Sequence, residues 1–151
     1  MAEGNDQSQY QNDNANEYPN SLVQKIEDLT SVDKKKYRNN PKALLMSAVN
    51  LTQKTSQSML LIVTIDKNNM LQSSKVGNSG YVVYKKKYDS ENQKYHYSPV
   101  FSSQPHEETF NVPYLVGAEG LKPSKSLAEH AGLKPGYIVV TYSSVVMENL
   151  F

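Results

Sequence analysis

Residues 40–70, NPKALLMSAVNLTQKTSQSMLLIVTIDKNNM, carry the strongest fold signal in the chain. Asn40 and Pro41 fit the cap and the first position of a helix, and the apolar residues that follow recur on one helical face. Residues 59–65 carry no charge and are rich in β-branched side chains, which indicates a buried strand. The polar residues 66–69 are typical of a turn. The stretch is therefore predicted to form a helix followed by a hairpin.

The rest of the chain extends this unit into an α+β fold of amphipathic helices with a small antiparallel sheet. Residues 1–20 contain four acidic residues and no basic one, and their polar composition predicts a disordered tail. Residues 21–76 are predicted to form a helix-helix-hairpin core, whose first helix covers residues 21–32. Residues 77–151 are predicted to hold a β-hairpin and a strand-helix-strand piece.

Composition narrows the classes of function. The 151 residues have a formal charge of +1 and contain no cysteine, which excludes disulfides, thiolate metal sites and cysteine nucleophiles. No apolar run approaches the roughly 18 to 20 residues that a membrane span needs, so no membrane partner is expected. His96 and the run His106-Glu107-Glu108 lack a further ligand or a nucleophile at useful spacing. We therefore predict no catalytic residue, no metal, no cofactor and no enzymatic activity.

Five cations surround a tyrosine in DKKKYRNNPK, residues 33–42. On DNA these side chains would neutralise phosphates, and Arg38, the single arginine of the chain, has the planar and weakly hydrated head group that suits a minor groove. The alternative interpretation is a solvated linker between two helices. The lysines by themselves predict affinity without sequence preference.

The segment ALLMSAVNLTQKTSQSMLLIV, residues 43–63, places a small residue and two large apolar ones before Ala48 and Leu51, then a polar stretch before an apolar strand. In this pattern residues 42–74 resemble the helix and strands of the MADS-box DNA-binding domain. The resemblance implies a nuclear transcriptional regulator that binds A·T-rich DNA as a homodimer, with the cytoplasm as the alternative location. It implies DNA contacts at Lys34, Lys35, Lys36, Arg38, Lys42 and Lys54, and a core and dimer surface at Leu44, Leu45, Ala48, Val49, Leu60 and Ile62.

Residues 81–88 and 94–101 flank the turn-forming residues 89–92, which predicts a β-hairpin. The hairpin combines tyrosines with lysines, and such a surface can stack unpaired bases while its lysines follow a nucleic-acid backbone. The alternative is cross-strand tyrosine packing on an edge hairpin that the lysines protect.

The segment SLAEHAGLKPGYIVVTYSSVVMENLF, residues 126–151, predicts a short helix capped by Ser124 or Ser126 and ended by Gly132, followed by a strand over residues 137–142. With its Ala-Gly-Leu and Pro-Gly pairs, the region 113–151 resembles the later half of a PDZ domain. The resemblance implies the alternative function, a protein-interaction module, PDZ-like or strand-pairing, that binds a protein partner through the C-terminal half without nucleic acid.

Overall fold

The computed structural model describes residues 6–143, with side chains from residue 16 onward. Three α-helices occupy its first third: α1 (Asp6–Val32), α2 (Lys34–Tyr37) and α3 (Pro41–Leu51). No helix among the described residues is long and apolar enough to cross a membrane. Ten strands and a 3-10 turn (Pro123–Lys125) follow: β1 (Gln57–Ser58), β2 (Leu60–Ile65), β3 (Met70–Val76), β4 (Gly80–Asp89), β5 (Lys94–Ser102), β6 (Glu107–Thr109), β7 (Val112–Pro113), β8 (Val116–Gly117), β9 (Leu127–Gly132) and β10 (Ile138–Tyr142).

The α+β class is confirmed, and helix α3 forms as its sequence predicts. The side chain of Asn40 accepts a hydrogen bond from the Ala43 amide at 3.0 Å, and Pro41 occupies the first turn, where a missing N–H leaves no hydrogen bond unmade. The helix ends at Leu51, since Thr52 takes an extended backbone conformation. Helix α1 begins at Asp6, inside the segment predicted as a tail; its Tyr18 is fully buried and fixes this helix to the core.

Strands β2 and β3 form the predicted hairpin. The Asp66 carboxylate accepts hydrogen bonds from the amides of Asn68 at 2.7 Å and Met70 at 3.0 Å, which holds the turn closed. Asn69 has a positive φ of 58°, a conformation that asparagine tolerates better than most residues. Antiparallel pairing then runs from Ile65 opposite Leu71 to Leu60 opposite Val76.

Two three-stranded antiparallel sheets face each other. One has the order β2-β3-β9 and the other the order β10-β4-β5, with two small pairs, β1-β8 and β6-β7, beside them. Because side chains alternate along a strand, the first sheet buries one face against the helices and its other face against the second sheet. Leu60, Ile62 and Val76 pack in the cluster that contains helix residues, whereas Leu71 packs with Tyr81 and Val83 between the sheets.

The C-terminal region corrects the prediction of a helix capped by Ser124 or Ser126. Residues 127–132 form strand β9 instead, paired with β3 from Leu127 opposite Lys75 to Gly132 opposite Met70. Burial alternates residue by residue along β9, as in a strand with one face against the protein. Pairing with a buried strand therefore overrides the helix propensity of the Leu-Ala-Glu sequence. Strand β10 forms within the predicted range 137–142, and residues 144–151 of the PDZ-like stretch lie outside the described residues.

The sheets also join the two predicted domains. Strand β3 lies in the predicted core 21–76, yet its hydrogen-bonded neighbour β9 lies in the predicted region 77–151. The same is true of β1 and β8, where Gln57 lies opposite Gly117. Residues on both sides of position 76 therefore share the same sheets.

Candidate functional site

A charged side chain lies between the two sheets. Lys75 of β3 is only 1% exposed and belongs to the face of the strand that also carries Leu71 and Ser73. Its Nζ donates a hydrogen bond of 3.4 Å to Oγ of Ser103, a long contact for an ammonium group. A buried ammonium with such weak hydrogen bonding is costly, and fully buried lysines are rare. The position therefore calls for a functional explanation.

Ser103 links Lys75 to the start of β4. Its Oγ accepts a hydrogen bond from the Tyr81 amide at 3.0 Å, and its own amide donates to the Tyr81 carbonyl at 3.0 Å. The Tyr81 hydroxyl shares a 2.9 Å hydrogen bond with Ser73 Oγ on β3. These contacts connect β3, β4 and the end of β5 through polar groups that are shielded from water, where hydrogen bonds are strong and directional.

Glu129 of β9 supplies a negative charge near Lys75. Both of its carboxylate oxygens accept from the Gln104 amide at 3.2 Å, next to Ser103. Burial lowers the pKa of the Lys75 ammonium, and the Glu129 charge opposes part of that shift. Burial also raises the pKa of the Tyr81 phenol, although its hydrogen bond to Ser73 works in the other direction.

The site extends to His106, which feels the Lys75 charge, and to its neighbour Glu107, which is hydrogen-bonded to Asn78. Asn78 Nδ2 donates to Glu107 Oε1 at 3.0 Å, and the Asn111 amide donates to Glu107 Oε2 at 3.1 Å. Burial and, to a smaller extent, the Lys75 charge lower the pKa of the His106 imidazole, whose ring packs against Tyr114 at 4.8 Å. We name the whole group the Lys75 cluster; it consists of Lys75, Asn78, Ser103, His106, Glu107 and Glu129.

Two polar atoms of the Lys75 cluster have no hydrogen-bond partner among the described residues. They are Asn78 Oδ1 and His106 Nδ1, both shielded from solvent. Buried polar atoms are normally hydrogen-bonded, so each unpaired atom points to a bound water, a ligand or a conformational change. The cluster therefore combines a poorly compensated charge with unmet hydrogen-bonding capacity.

The six cations predicted to bind DNA lie around α2 and at both ends of α3. Asp33 caps α2 by accepting from the Lys36 amide at 3.1 Å, and the Lys36 ammonium lies 5.3 Å from the centre of the Tyr37 ring. Arg38 follows α2, and Lys42 lies in the first turn of α3. Lys54 lies beyond the opposite end of α3, whose 11 residues span about 16 Å at 1.5 Å per residue.

The residues predicted as core and dimer surface are buried within this one chain. Leu45, Ala48 and Val49 are fully buried, and Leu44, Leu60 and Ile62 nearly so. They pack against α1 and the first sheet, together with Tyr18 and Leu22. These six side chains already contact their own chain, so they are not available to a second subunit in this structure. Dimerisation itself stays a prediction.

The fold resembles that of a phosphatase. The solved structure of the photosystem II phosphatase PBCP superimposes on 82% of this chain with a TM-score of 0.69 and 22% sequence identity. The chain covers 45% of that protein's length. At this level of identity the likeness establishes the fold. No known protein family matches the sequence, and no curated protein matches it either.

This likeness corrects the function predicted from the sequence. The interpretation as a MADS-box-like, DNA-binding transcriptional regulator, with a PDZ-like or strand-pairing interaction module as its alternative, is wrong, because the fold shared over most of the chain is that of a phosphatase. The helix and strand that carried the MADS-box resemblance pack against each other and against α1, on the face of the first sheet that points away from the second sheet. The prediction of a non-enzymatic protein also conflicts with a fold shared with an enzyme.

Sequence reasoning did not single out Lys75, Ser103 or Glu129. They come from three strands or strand ends that are far apart in the chain. Lys75 and Ser103 lie in stretches without a motif, and Glu129 lies in the PDZ-like stretch that predicted a helix. One available signal was a lysine inside the strand-like run LQSSKV directly after the predicted hairpin turn, because period-2 alternation places it on the same face as Leu71.

Proposed function

We propose that this chain forms part of a phosphatase domain and that the protein hydrolyses phosphate esters. The observation that supports this proposal is the shared fold with the photosystem II phosphatase PBCP over 82% of the chain. The chain covers 45% of that protein's length, and our proposal is that this chain itself is sufficient for the activity.

Phosphate-ester hydrolysis is often assisted by a pair of metal ions held by carboxylates and histidines. Among the residues with described side chains, no group of three or more His, Asp or Glu side chains could hold a metal ion. These residues therefore do not fit a metal centre of that kind, and we assign them no step of metal-assisted catalysis.

Within this proposal the Lys75 cluster has a positioning role. Lys75 is too deeply buried to contact a substrate, but its hydrogen bond to Ser103 joins β3 to the end of β5, and Ser103 in turn fixes the amide of Tyr81. The residues that connect β3 to β4, 77–79, lie between these two attachments. Their Asn78 holds Glu107, so the cluster also determines where that carboxylate lies.

The test is phosphate release by the purified chain from p-nitrophenyl phosphate and from a phosphothreonine peptide, in EDTA, in Mg²⁺ and in Mn²⁺. We expect release by the wild type and a lower rate for Ser103→Ala, which removes the acceptor of both the Lys75 and the Tyr81 hydrogen bonds. Lys67→Ala, a change at an exposed turn, is the matched control and should keep the wild-type rate.

Circular dichroism must show that all three proteins are folded. A folded wild type that releases no phosphate from either substrate in any of the three buffers would contradict the proposal. Equal rates for wild type, Ser103→Ala and Lys67→Ala would have two explanations: a contaminating phosphatase, or a cluster without a positioning role. A further purification step separates them, because a specific activity that stays unchanged excludes the contaminant and removes the positioning role.

A further inference from the structure

The hairpin of β4 and β5 extends beyond the sheet to which it belongs. Strand β10 pairs with β4 only from Gly80 to Tyr84, whereas β4 continues to Asp89. From Lys85 to Ser98 the two strands pair with each other, and no third strand among the described residues covers them. We call residues 85–98 the ribbon. Both of its faces are open to a partner.

The register of the ribbon separates its charges from its aromatic rings. Lys85 and Lys87 share a face with their partners Ser98 and His96, and the pair Asp89 and Lys94 lies on that same face. We call this the cationic face. The opposite, aromatic face carries Lys86 and Tyr88 with their partners Tyr97 and Tyr95.

The lysines of the cationic face are not neutralised. Lys85, Lys87 and Lys94 are exposed and have no ion-pair partner within the residues whose side chains are described. The nearby Asp89 carboxylate is occupied by the turn, where it accepts from Asn92 Nδ2 at 2.8 Å and from the Glu91 amide at 3.0 Å. The same carboxylate lies 3.3 Å from His96 Nε2. The three ammonium groups therefore produce a local positive potential that a negatively charged partner would complement.

The aromatic face is less suited to stacking bases than its composition suggests. Tyr88 and Tyr95 pack against each other with ring centres 5.0 Å apart, and the Lys86 ammonium lies 4.0 Å from the centre of the Tyr95 ring. Stacking a nucleobase requires an open ring face. Tyr95 already contacts both a tyrosine and a lysine, so Tyr97, which is 51% exposed, is the tyrosine of this face with no ring contact among the described residues. One open ring is a poor platform for successive bases, and this favours a protein ligand over a nucleic acid.

The spacing of the cationic face specifies the geometry of that ligand. Alternate residues on a strand, such as Lys85 and Lys87, are about 6.6 to 6.8 Å apart along the chain. An extended peptide with acidic residues at alternate positions has the same repeat. We propose that the cationic face of the ribbon binds an extended segment of a partner protein that carries Asp or Glu at alternate positions. This inference goes beyond the proposed phosphatase activity and does not depend on it.

The test uses the full chain and a fluorescein-labelled peptide with four glutamates at alternate positions between serines. A second peptide of the same composition has the four glutamates in one block. Fluorescence anisotropy at low and at physiological ionic strength gives the affinities. We expect tighter binding of the alternating peptide and weaker binding at higher salt.

Adjacent lysines on opposite faces supply the matched control. Lys87→Ala and Lys86→Ala remove the same charge one residue apart, but only Lys87 lies on the cationic face. We expect the double variant Lys85→Ala, Lys87→Ala to weaken binding by roughly threefold to tenfold, the range for two exposed ion pairs, with Lys87→Ala intermediate and Lys86→Ala close to wild type. A second control, Lys34→Ala with Lys35→Ala, removes two exposed lysines elsewhere and should leave binding unchanged.

Three results would overturn the proposal. One is the absence of binding at low salt. Another is equal weakening by the Lys86 variant or the Lys34 and Lys35 variant, since that would show attraction to net charge alone. The third is displacement of the labelled peptide by a single-stranded oligonucleotide at lower concentrations than the unlabelled peptide needs. The ribbon would then be a nucleic-acid surface.

Discussion

Replacing Lys75 by methionine tests whether its charge is an uncompensated cost to the fold. Methionine is similar in length and apolar, so it fills the same space between the sheets without a charge. Lys75 is 1% exposed and makes one 3.4 Å hydrogen bond, and Ser103 keeps its hydrogen bond from the Tyr81 amide when the lysine is removed. Apolar replacement of such buried charges is commonly neutral or stabilising, so we expect a gain of about 1 to 3 kcal/mol in the free energy of unfolding at pH 7.

The pH dependence of this gain identifies its cause. Burial lowers the pKa of Lys75 in the folded protein below its usual value of 10.5. Between these two pKa values the unfolded state binds more protons than the folded state, so the stability of the wild type rises with pH, by at most about 1.4 kcal/mol per pH unit. Lys75→Met lacks this contribution. The advantage of the variant should therefore be largest below the lowered pKa and shrink as the pH approaches 10.5.

The assay is urea denaturation followed by circular dichroism at several pH values from 7 to about 10. The buried Tyr81, whose pKa is raised, also titrates at the upper end, but it is present in both proteins and largely cancels in their difference. A variant that is less stable than the wild type at pH 7 would refute the reasoning. A difference that stays constant with pH would show that the Lys75 charge is compensated in the folded state.

The parts of the fold that the sequence predicts are those fixed by neighbours in the chain. Asn40 caps α3 three residues away, and Asp66 closes the β2–β3 turn within four residues. Asp89 organises the turn of the ribbon in the same way. In each case one side chain satisfies nearby backbone amides, so a short window of sequence contains the whole interaction.

Strand β9 and the Lys75 cluster depend on pairing between segments that are far apart in the chain. A short stretch of sequence does not contain both partners of such a pair. Ser74 donates a hydrogen bond of 2.9 Å to Ser126, 52 residues away, and this region of β9 has a sequence that favours a helix. Strand β9 forms because its backbone groups can hydrogen-bond to those of β3. Glu129 reaches the cluster only through this register, so neither its role nor that of Lys75 could be predicted before the sheet was known.

The MADS-box resemblance failed for a related physical reason. An apolar helix followed by an apolar strand indicates that two surfaces must be buried. The pattern does not identify the elements that bury them. Helix α3 and strand β2 could satisfy that requirement in a second subunit or in their own chain. Strand β3, which pairs on its far side with β9, and helix α1, which packs on α3 through Tyr18, supply the burial within the chain.

Two further predictions test how tightly the helices and the small strands are held. Tyr18 is fully buried with no hydrogen-bond partner for its hydroxyl among the described residues, so Tyr18→Phe should be neutral or slightly stabilising in thermal unfolding, whereas Tyr18→Ala should cost about 3 to 5 kcal/mol. A clear loss of stability in Tyr18→Phe would mean that the hydroxyl is hydrogen-bonded. Gly117 and Gly136 both have a positive φ, of 114° and 87°, but a Cβ at Gly117 would collide with the carbonyl oxygen of Ser56, whereas one at Gly136 would meet open space. Both Ala variants therefore carry backbone strain of about 1 to 2 kcal/mol, and Gly117→Ala adds a clash with backbone that can be relieved only by separating β8 from β1. We expect Gly117→Ala to lower the melting temperature clearly more than Gly136→Ala, and similar melting temperatures would show that the β1–β8 pair contributes little to the stability of the fold.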